Sequence, residues 1–305
     1  QKEDIVPTAA QKTLFKIAPA IIFAAVFAGF SVIPISSGLQ GSATQTGVYL
    51  LLAIVSLDIF GILLAGWASN NKYSLLGAMR SVAQIISYEV PLGLSVLCVV
   101  VLSQSLDLQE ISLQQGVFSS QTNYLFGLRF LNVETTDIGG ITTWNILRNP
   151  FLSIAFIIYF ISSLAEANRA PFDLPEAESE LIAGFHTEYS GFRWAIVFLS
   201  EYGMMLLVSL VGAILFLGSW NTPLPNIGVI RLANWTSGEM GKLSADIWGA
   251  FWLFTKAYLL ILVQMWVRWT FPRLRMDQLM YLCWKVLTPI GLLLFFVSAV
   301  WKLLG

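Results

Sequence analysis

Seven long apolar segments, at about 15–36, 48–69, 82–103, 150–166, 194–218, 247–269 and 286–304, dominate the chain. A bilayer core about 30 Å thick needs roughly 20 residues of helix, and each segment reaches or nearly reaches that length. In lipid every backbone N–H and C=O must be satisfied internally, and no segment alternates as a barrel strand would. The predicted fold is therefore all-α, a polytopic bundle of seven transmembrane helices forming one membrane domain over 1–305. Composition agrees, since 56% of residues are hydrophobic and only 11% charged, against roughly 25% charged in soluble domains. With a net charge of −1, no basic field exists to hold a nucleic-acid backbone, and the expected partner is the lipid bilayer.

Two cysteines, Cys98 and Cys283, and one histidine, His186, limit redox and metal chemistry. No CxxC, HExxH or paired-histidine motif can be written from them, so no iron–sulfur, haem or zinc site of the usual kinds is expected in this chain. Electrons, if any pass, must come from another subunit. Of the 17 Lys and Arg, eleven fall in one set of connections, five in the opposite set, and Lys256 lies within a span. The positive-inside rule places the larger set, which includes Lys72, Arg80, Arg169, Arg193, Arg268, Arg273 and Arg275, on the cytoplasmic or matrix side. The long stretches 104–148 and 219–246 are then outside and are expected to be surface loops. No fixed-period repeat is visible, which weighs against a pseudo-symmetric transporter.

Ionisable residues inside the spans carry the most information, because a charge at mid-bilayer costs ~3 kcal/mol or more and persists where a cavity or partner accepts it. Asp58, Glu89, Glu166, Glu201 and Lys256 are such residues. Each acid alone could be a satisfied interhelical hydrogen bonder. Four acids on four spans instead suit a proton relay.

The densest feature lies between the fourth and fifth spans. Glu166, Asp173, Glu176, Glu178, Glu180 and Glu188 stand there against Arg169 alone. Pro171 and Pro175 interrupt any continuous helix, while Pro175 can open a new one on which Glu176 and Glu180 share a face and Leu181 and Phe185 form an apolar stripe. An amphipathic re-entrant loop over 167–192 is expected rather than a solvated acidic loop. Crowded carboxylates should hold some protons near neutrality, with Arg169 beside Phe172 compensating the cluster.

The stretch AEANRAPFDLPEAESELIAGFHTEYSGFRWA resembles the signature of the quinone-site membrane subunit of respiratory complex I, called the H subunit in bacteria and subunit 1 in mitochondria. LAGWASNNKYSLLGAMRSVAQIISYEVPLG and RWTFPRLRMDQL are similar to two further stretches of that family, and the likeness covers nearly the whole chain outside the two long outer connections. KEDIVPT looks like the segment after the family's first helix and loop. Because the family has eight spans, the resemblance implies an additional N-terminal span and basic Glu-Arg-Lys and Arg-x-Gly-Pro motifs that have no counterpart in this sequence.

The resemblance implies a membrane subunit of a proton-pumping NADH:quinone oxidoreductase that encloses part of the quinone chamber and passes the effect of quinone reduction into a line of buried acids. Glu89, Glu166 and Glu201 match the family's intramembrane acids, and Glu176, Glu178, Glu180 and Glu188 those of its quinone-side loop. Asp58 takes a third-span position in the same path. Arg169, Phe172, Asp173, Arg193 and Arg273 would line the chamber or coupling loop. Quinone, as ubiquinone or menaquinone, would be the substrate, with NADH, FMN and iron–sulfur clusters held by partner subunits. Those partners would be the iron–sulfur and quinone-site subunits of a peripheral arm and small and antiporter-like membrane subunits. The setting would be an energy-coupling membrane, bacterial or mitochondrial. The alternatives are the homologous subunit of a ferredoxin-dependent or hydrogenase-type complex, and an autonomous cation/proton antiporter.

Overall fold

The structure is a computed structural model that describes residues 3, 5–117, 119, 124, 126, 134–173, 184–226, 231–237 and 243–304. Seven helices organise it: α1 (Lys12–Gly29), α2 (Gly47–Ala68), α3 (Lys72–Ser103), α4 (Pro150–Glu166), α5 (Gly191–Phe216), α6 (Leu243–Thr270) and α7 (Met276–Leu303). All but α4 are long and apolar enough to cross a membrane. The 17 residues of α4 reach about 26 Å, just short of the bilayer core. Among the described residues there is no strand, only the isolated bridges Pro34–Gln40 and Tyr124–Glu134. The chain is an integral membrane protein built as a helix bundle.

Local chemistry sets the helix ends. Asn149 precedes Pro150, and its side chain accepts the Phe151 amide at 3.0 Å, so α4 opens with a capped first turn and a proline where no amide is needed. Asn71 caps α3 in the same way by accepting the Tyr73 amide at 3.0 Å. This cap starts α3 at Lys72 rather than near residue 82, where the apolar run begins. The added turns are polar in sequence yet buried at Ser74, Gly77, Ala78 and Ser81, because small side chains let α3 approach its neighbours. A Cβ at Gly77 would lie 2.8 Å from the Gly184 carbonyl carbon, so only glycine admits that crossing. Arg80, read from sequence as a loop residue, therefore sits on a helix. With 32 residues, α3 runs about 48 Å and must extend beyond the bilayer core.

Prolines within the bundle have identifiable consequences. Pro91 of α3 has no amide to offer the Ser87 carbonyl four residues back, and the Cys283 thiol donates to that carbonyl at 2.9 Å. In α7, Pro289 follows a π-helical turn, Leu282–Leu287, and the Thr288 hydroxyl donates to the Cys283 carbonyl at 2.8 Å. α7 itself begins at Met276, ten residues before the apolar run at 286, and the widened turn joins its first turns to that run. α3 packs against α2, α4 and α7, while α5 packs against α1 and α6. The main core lies along α3, α4 and α5, and a second cluster around Phe15 closes the cation-rich end, called the inner end below.

The stretches outside the spans are not free coil. Leu108, Ile111, Ser112, Gln115, Trp144 and Asn145 are buried, as are Ser219 and Thr222. They fill the outer end of the bundle above the short α4. What sequence alone presents as polar surface loops includes packed plug material.

Candidate functional site

The three stretches that carry the family resemblance, far apart in sequence, converge at the inner end. Gln84 of α3 is fully buried, and its amide nitrogen lies 2.8 Å from the Ala165 carbonyl, 3.3 Å from Asn168 Oδ1 and 2.9 Å from the Phe172 carbonyl. The chain after α4 is thereby wrapped around one side chain. The Arg169 amide donates to the Leu164 carbonyl at 3.2 Å and the Phe172 amide to the Arg169 carbonyl at 2.8 Å, closing two tight turns. Phe172 meets Tyr88 edge-on at 5.3 Å, and the Tyr88 hydroxyl donates to the Leu279 carbonyl at 2.9 Å. The Leu274 amide donates to the Pro171 carbonyl at 3.1 Å. Asp173 pairs with Arg273 at 3.4 Å.

Beneath these turns lies a cavity of about 10 Å³, room for roughly one water. Asp58 from α2, Glu166 at the end of α4 and Glu201 from α5 all line it, with Ile22, Ile62, Val197 and Met204 among the apolar walls. Asp58 Oδ1 is a buried oxygen with no hydrogen-bond partner among the described residues. Glu166 is 8% exposed. Glu89 accepts a hydrogen bond from the Ser56 hydroxyl of α2. Arg169 brings its guanidinium 3.9 Å from Glu201 and 4.4 Å from the centre of the Tyr202 ring.

The geometry thus gathers Asp58, Glu89, Glu166, Glu201 and Arg169 into one inner-end group, with Phe172, Asp173 and Arg273 beside it. Arg169 does not face the loop acid Asp173, as the sequence suggests. It turns inward to Glu201, and Arg273 takes Asp173 instead, because the turn at Asn168, with φ at +48°, redirects the chain after α4. Glu188 and Arg193 lie elsewhere. Glu188 accepts from the Asn71 side chain at 2.6 Å, which ties the loop to the start of α3, and Arg193 rests 5.7 Å from the Phe15 ring, itself stacked on Tyr189. Glu176, Glu178 and Glu180, with the short helix expected after Pro175, lie outside the described residues. Gln84, Tyr88 and Tyr202 belong to the site without standing out as charges; a buried amide within the third apolar run was the available signal for Gln84.

His186 ends a single 3-10 turn, Gly184–His186, beside the site, half-buried and edge-on to Phe185 at 5.0 Å. Burial pushes its imidazole down to about 4. An opened loop restores the ordinary value near 6.5 and binds a proton that the closed loop does not, so stability rises with pH between about 4 and 6.5. Hydrogen exchange over residues 184–190, corrected for intrinsic rates, is expected to show protection falling as pH drops through that window. A His186→Phe chain should lose this slope; equal slopes in both proteins would show that another group governs the loop.

A bundle that buries several carboxylates and an arginine within its membrane helices, under a turn carrying further charges, defines an integral membrane protein with an ionisable site inside its helix bundle. The sequence profile described as NADH dehydrogenase matches residues 1–299. The NADH-quinone oxidoreductase H subunit 2 of Cytophaga hutchinsonii is 55% identical over 305 residues, covering 99% of this chain and 84% of that protein. The NADH-quinone oxidoreductase H subunit of Chlorobaculum tepidum is 49% identical, over 99% of this chain and 76% of that protein. The corresponding protein of Anaeromyxobacter dehalogenans is 38% identical, over 99% and 68% respectively. The chain belongs to the NADH dehydrogenase family.

Proposed function

We propose that this chain is the H-type membrane subunit of a proton-pumping NADH-quinone oxidoreductase. In this reading it forms part of the quinone chamber and the first buried-acid segment of the proton path. The observation that carries the proposal is the convergence of Asp58, Glu166 and Glu201 on one cavity directly under the Arg169–Asp173 turn. Reduction of a quinone at the inner end creates strong basicity, and Arg169, Phe172, Asp173 and Arg273 stand where a change in charge or position there reaches the acids. Glu89, which accepts from the Ser56 hydroxyl two residues before Asp58 on α2, continues the line toward α3. The stretch 167–192, with Glu176, Glu178, Glu180 and Glu188, is the quinone-side loop of this reading, and Arg193 braces it through Phe15. Iron–sulfur subunits would deliver the electrons, and antiporter-like membrane subunits would receive the coupling.

The experiment is Glu89→Gln in the assembled complex. Gln keeps the shape and can hydrogen bond with Ser56 but cannot release a proton. Assembly is expected to persist while quinone-coupled turnover and pumping fall. Wild-type pumping in this variant would make Glu89 a structural hydrogen bonder. Co-purification without iron–sulfur partners would favour the antiporter instead.

A further inference from the structure

Lys256, near the middle of α6 and 4% exposed, occupies surroundings unlike those of the cavity acids. Its ammonium donates to the Ser219 carbonyl at 2.8 Å and the Asn221 carbonyl at 2.5 Å, and it lies 4.3 Å from the centre of the Trp144 ring. Three N–H donors thus meet two carbonyl oxygens and one π face. A neutral amine would turn its lone pair toward one of these electron-rich groups, so the cage suits the ammonium. Among the described residues, no carboxylate pairs with it.

The groups of the cage come from two separate outer segments. Trp144 belongs to the stretch between α3 and α4, and Ser219 and Asn221 to the turn after α5. The same segments are joined elsewhere: Gln115 donates to the Ile214 carbonyl at 2.9 Å, and Asn145 to the Leu215 carbonyl at 2.8 Å. The Asn221 side chain donates to the Ser112 carbonyl at 2.9 Å. Gly218, at φ +77°, lets the turn lie against Trp144, where any Cβ would come within 2.2 Å of the indole. The last carbonyls of α5 are thereby satisfied by side chains in a packed outer lid.

A neutral donor such as glutamine could serve the same carbonyls, and an ammonium with no counter-charge is costly inside a membrane bundle. What the charge adds is a positive potential between the acid cavity at the inner end and the outer face. Fixed positive charges exclude protons and cations from membrane pores in this way. We propose that Lys256 is an electrostatic seal, which clamps both outer segments into a lid and keeps protons held at the Asp58–Glu166–Glu201 cavity from leaving through the outer face of this chain. The inference rests on the proton-relay reading above.

The test is passive decay of an imposed pH gradient in proteoliposomes of the assembled complex, without electron donor or quinone and normalised to protein. Lys256→Gln, which keeps hydrogen-bond donors but removes the charge, is expected to speed decay several-fold, and Lys256→Arg to match wild type. Lys256→Met, an apolar chain of similar length, serves as the second neutral variant should the Gln complex not assemble. Neutral variants as tight as wild type would overturn the seal, as would failure of both to assemble, since Lys256 would then serve folding. Adding Glu166→Gln to the leaking variant is expected to restore tightness. A leak indifferent to Glu166 would leave the seal standing and remove the relay through that acid.

Discussion

Replacing Glu166 with glutamine is expected to reduce NADH-driven quinone reduction per assembled complex by about tenfold or more, the scale of a lost proton-transfer group. Glu166 stands beside the other buried acids. It closes α4 and lines the cavity shared with Asp58 and Glu201. Gln84 holds the carbonyl of the preceding residue, Ala165, at 2.8 Å, so the backbone at this point is fixed by contacts that the substitution does not touch. Glutamine retains size and polarity, and assembly measured by native electrophoresis should remain as in wild type. Loss of turnover with intact assembly isolates the proton. Turnover equal to wild type would mean that Glu166 only satisfies a neighbour, and the cavity would lose its place in the proposed path.

The second large effect is expected at Arg169. Arg169 is 9% exposed, and its guanidinium lies 3.9 Å from Glu201 and 4.4 Å from the centre of the Tyr202 ring. Breaking a buried ion pair by removing one partner costs about 3–5 kcal/mol, and the long separation here places Arg169→Ala near the lower end, ~3 kcal/mol. The variant should lower both the thermal midpoint of the complex and its quinone reductase rate. Arg169→Lys is expected to recover stability only in part, because an ammonium keeps the charge but not the planar face that covers Tyr202. Unchanged stability and rate in Arg169→Ala would show that the Glu201 pair is incidental and that the inner-end group does not work as a unit.

How much of this was legible in the sequence differs between the bundle and its site. Apolar length alone located all seven helices, because the bilayer makes burial of backbone polar groups a local requirement that each helix meets by itself. The start of α3 was missed for the complementary reason. Ser74, Gly77, Ala78 and Ser81 are buried by close crossing with other segments, and hydropathy does not register small residues that pack. The acids within spans announced themselves as charges in apolar runs, and Asp58, Glu166 and Glu201 proved to share a cavity. Their mutual distances were not readable, since they sit on three different helices.

The pairing of charges was likewise beyond sequence proximity. Arg169 stands four residues from Asp173 yet faces Glu201, while Asp173 reaches Arg273, a hundred positions away. Lys256 shows the same division. Its presence in a span was plain from the chain, but its two carbonyls and its aromatic face come from segments that only the assembled bundle brings together. Sequence by itself determined that the protein spans a membrane as helices and that it retains charges there, because transfer energies act residue by residue. Tertiary structure decided which charges meet, because electrostatic pairing and hydrogen bonding act over a few ångströms between elements whose separation along the chain carries no distance information.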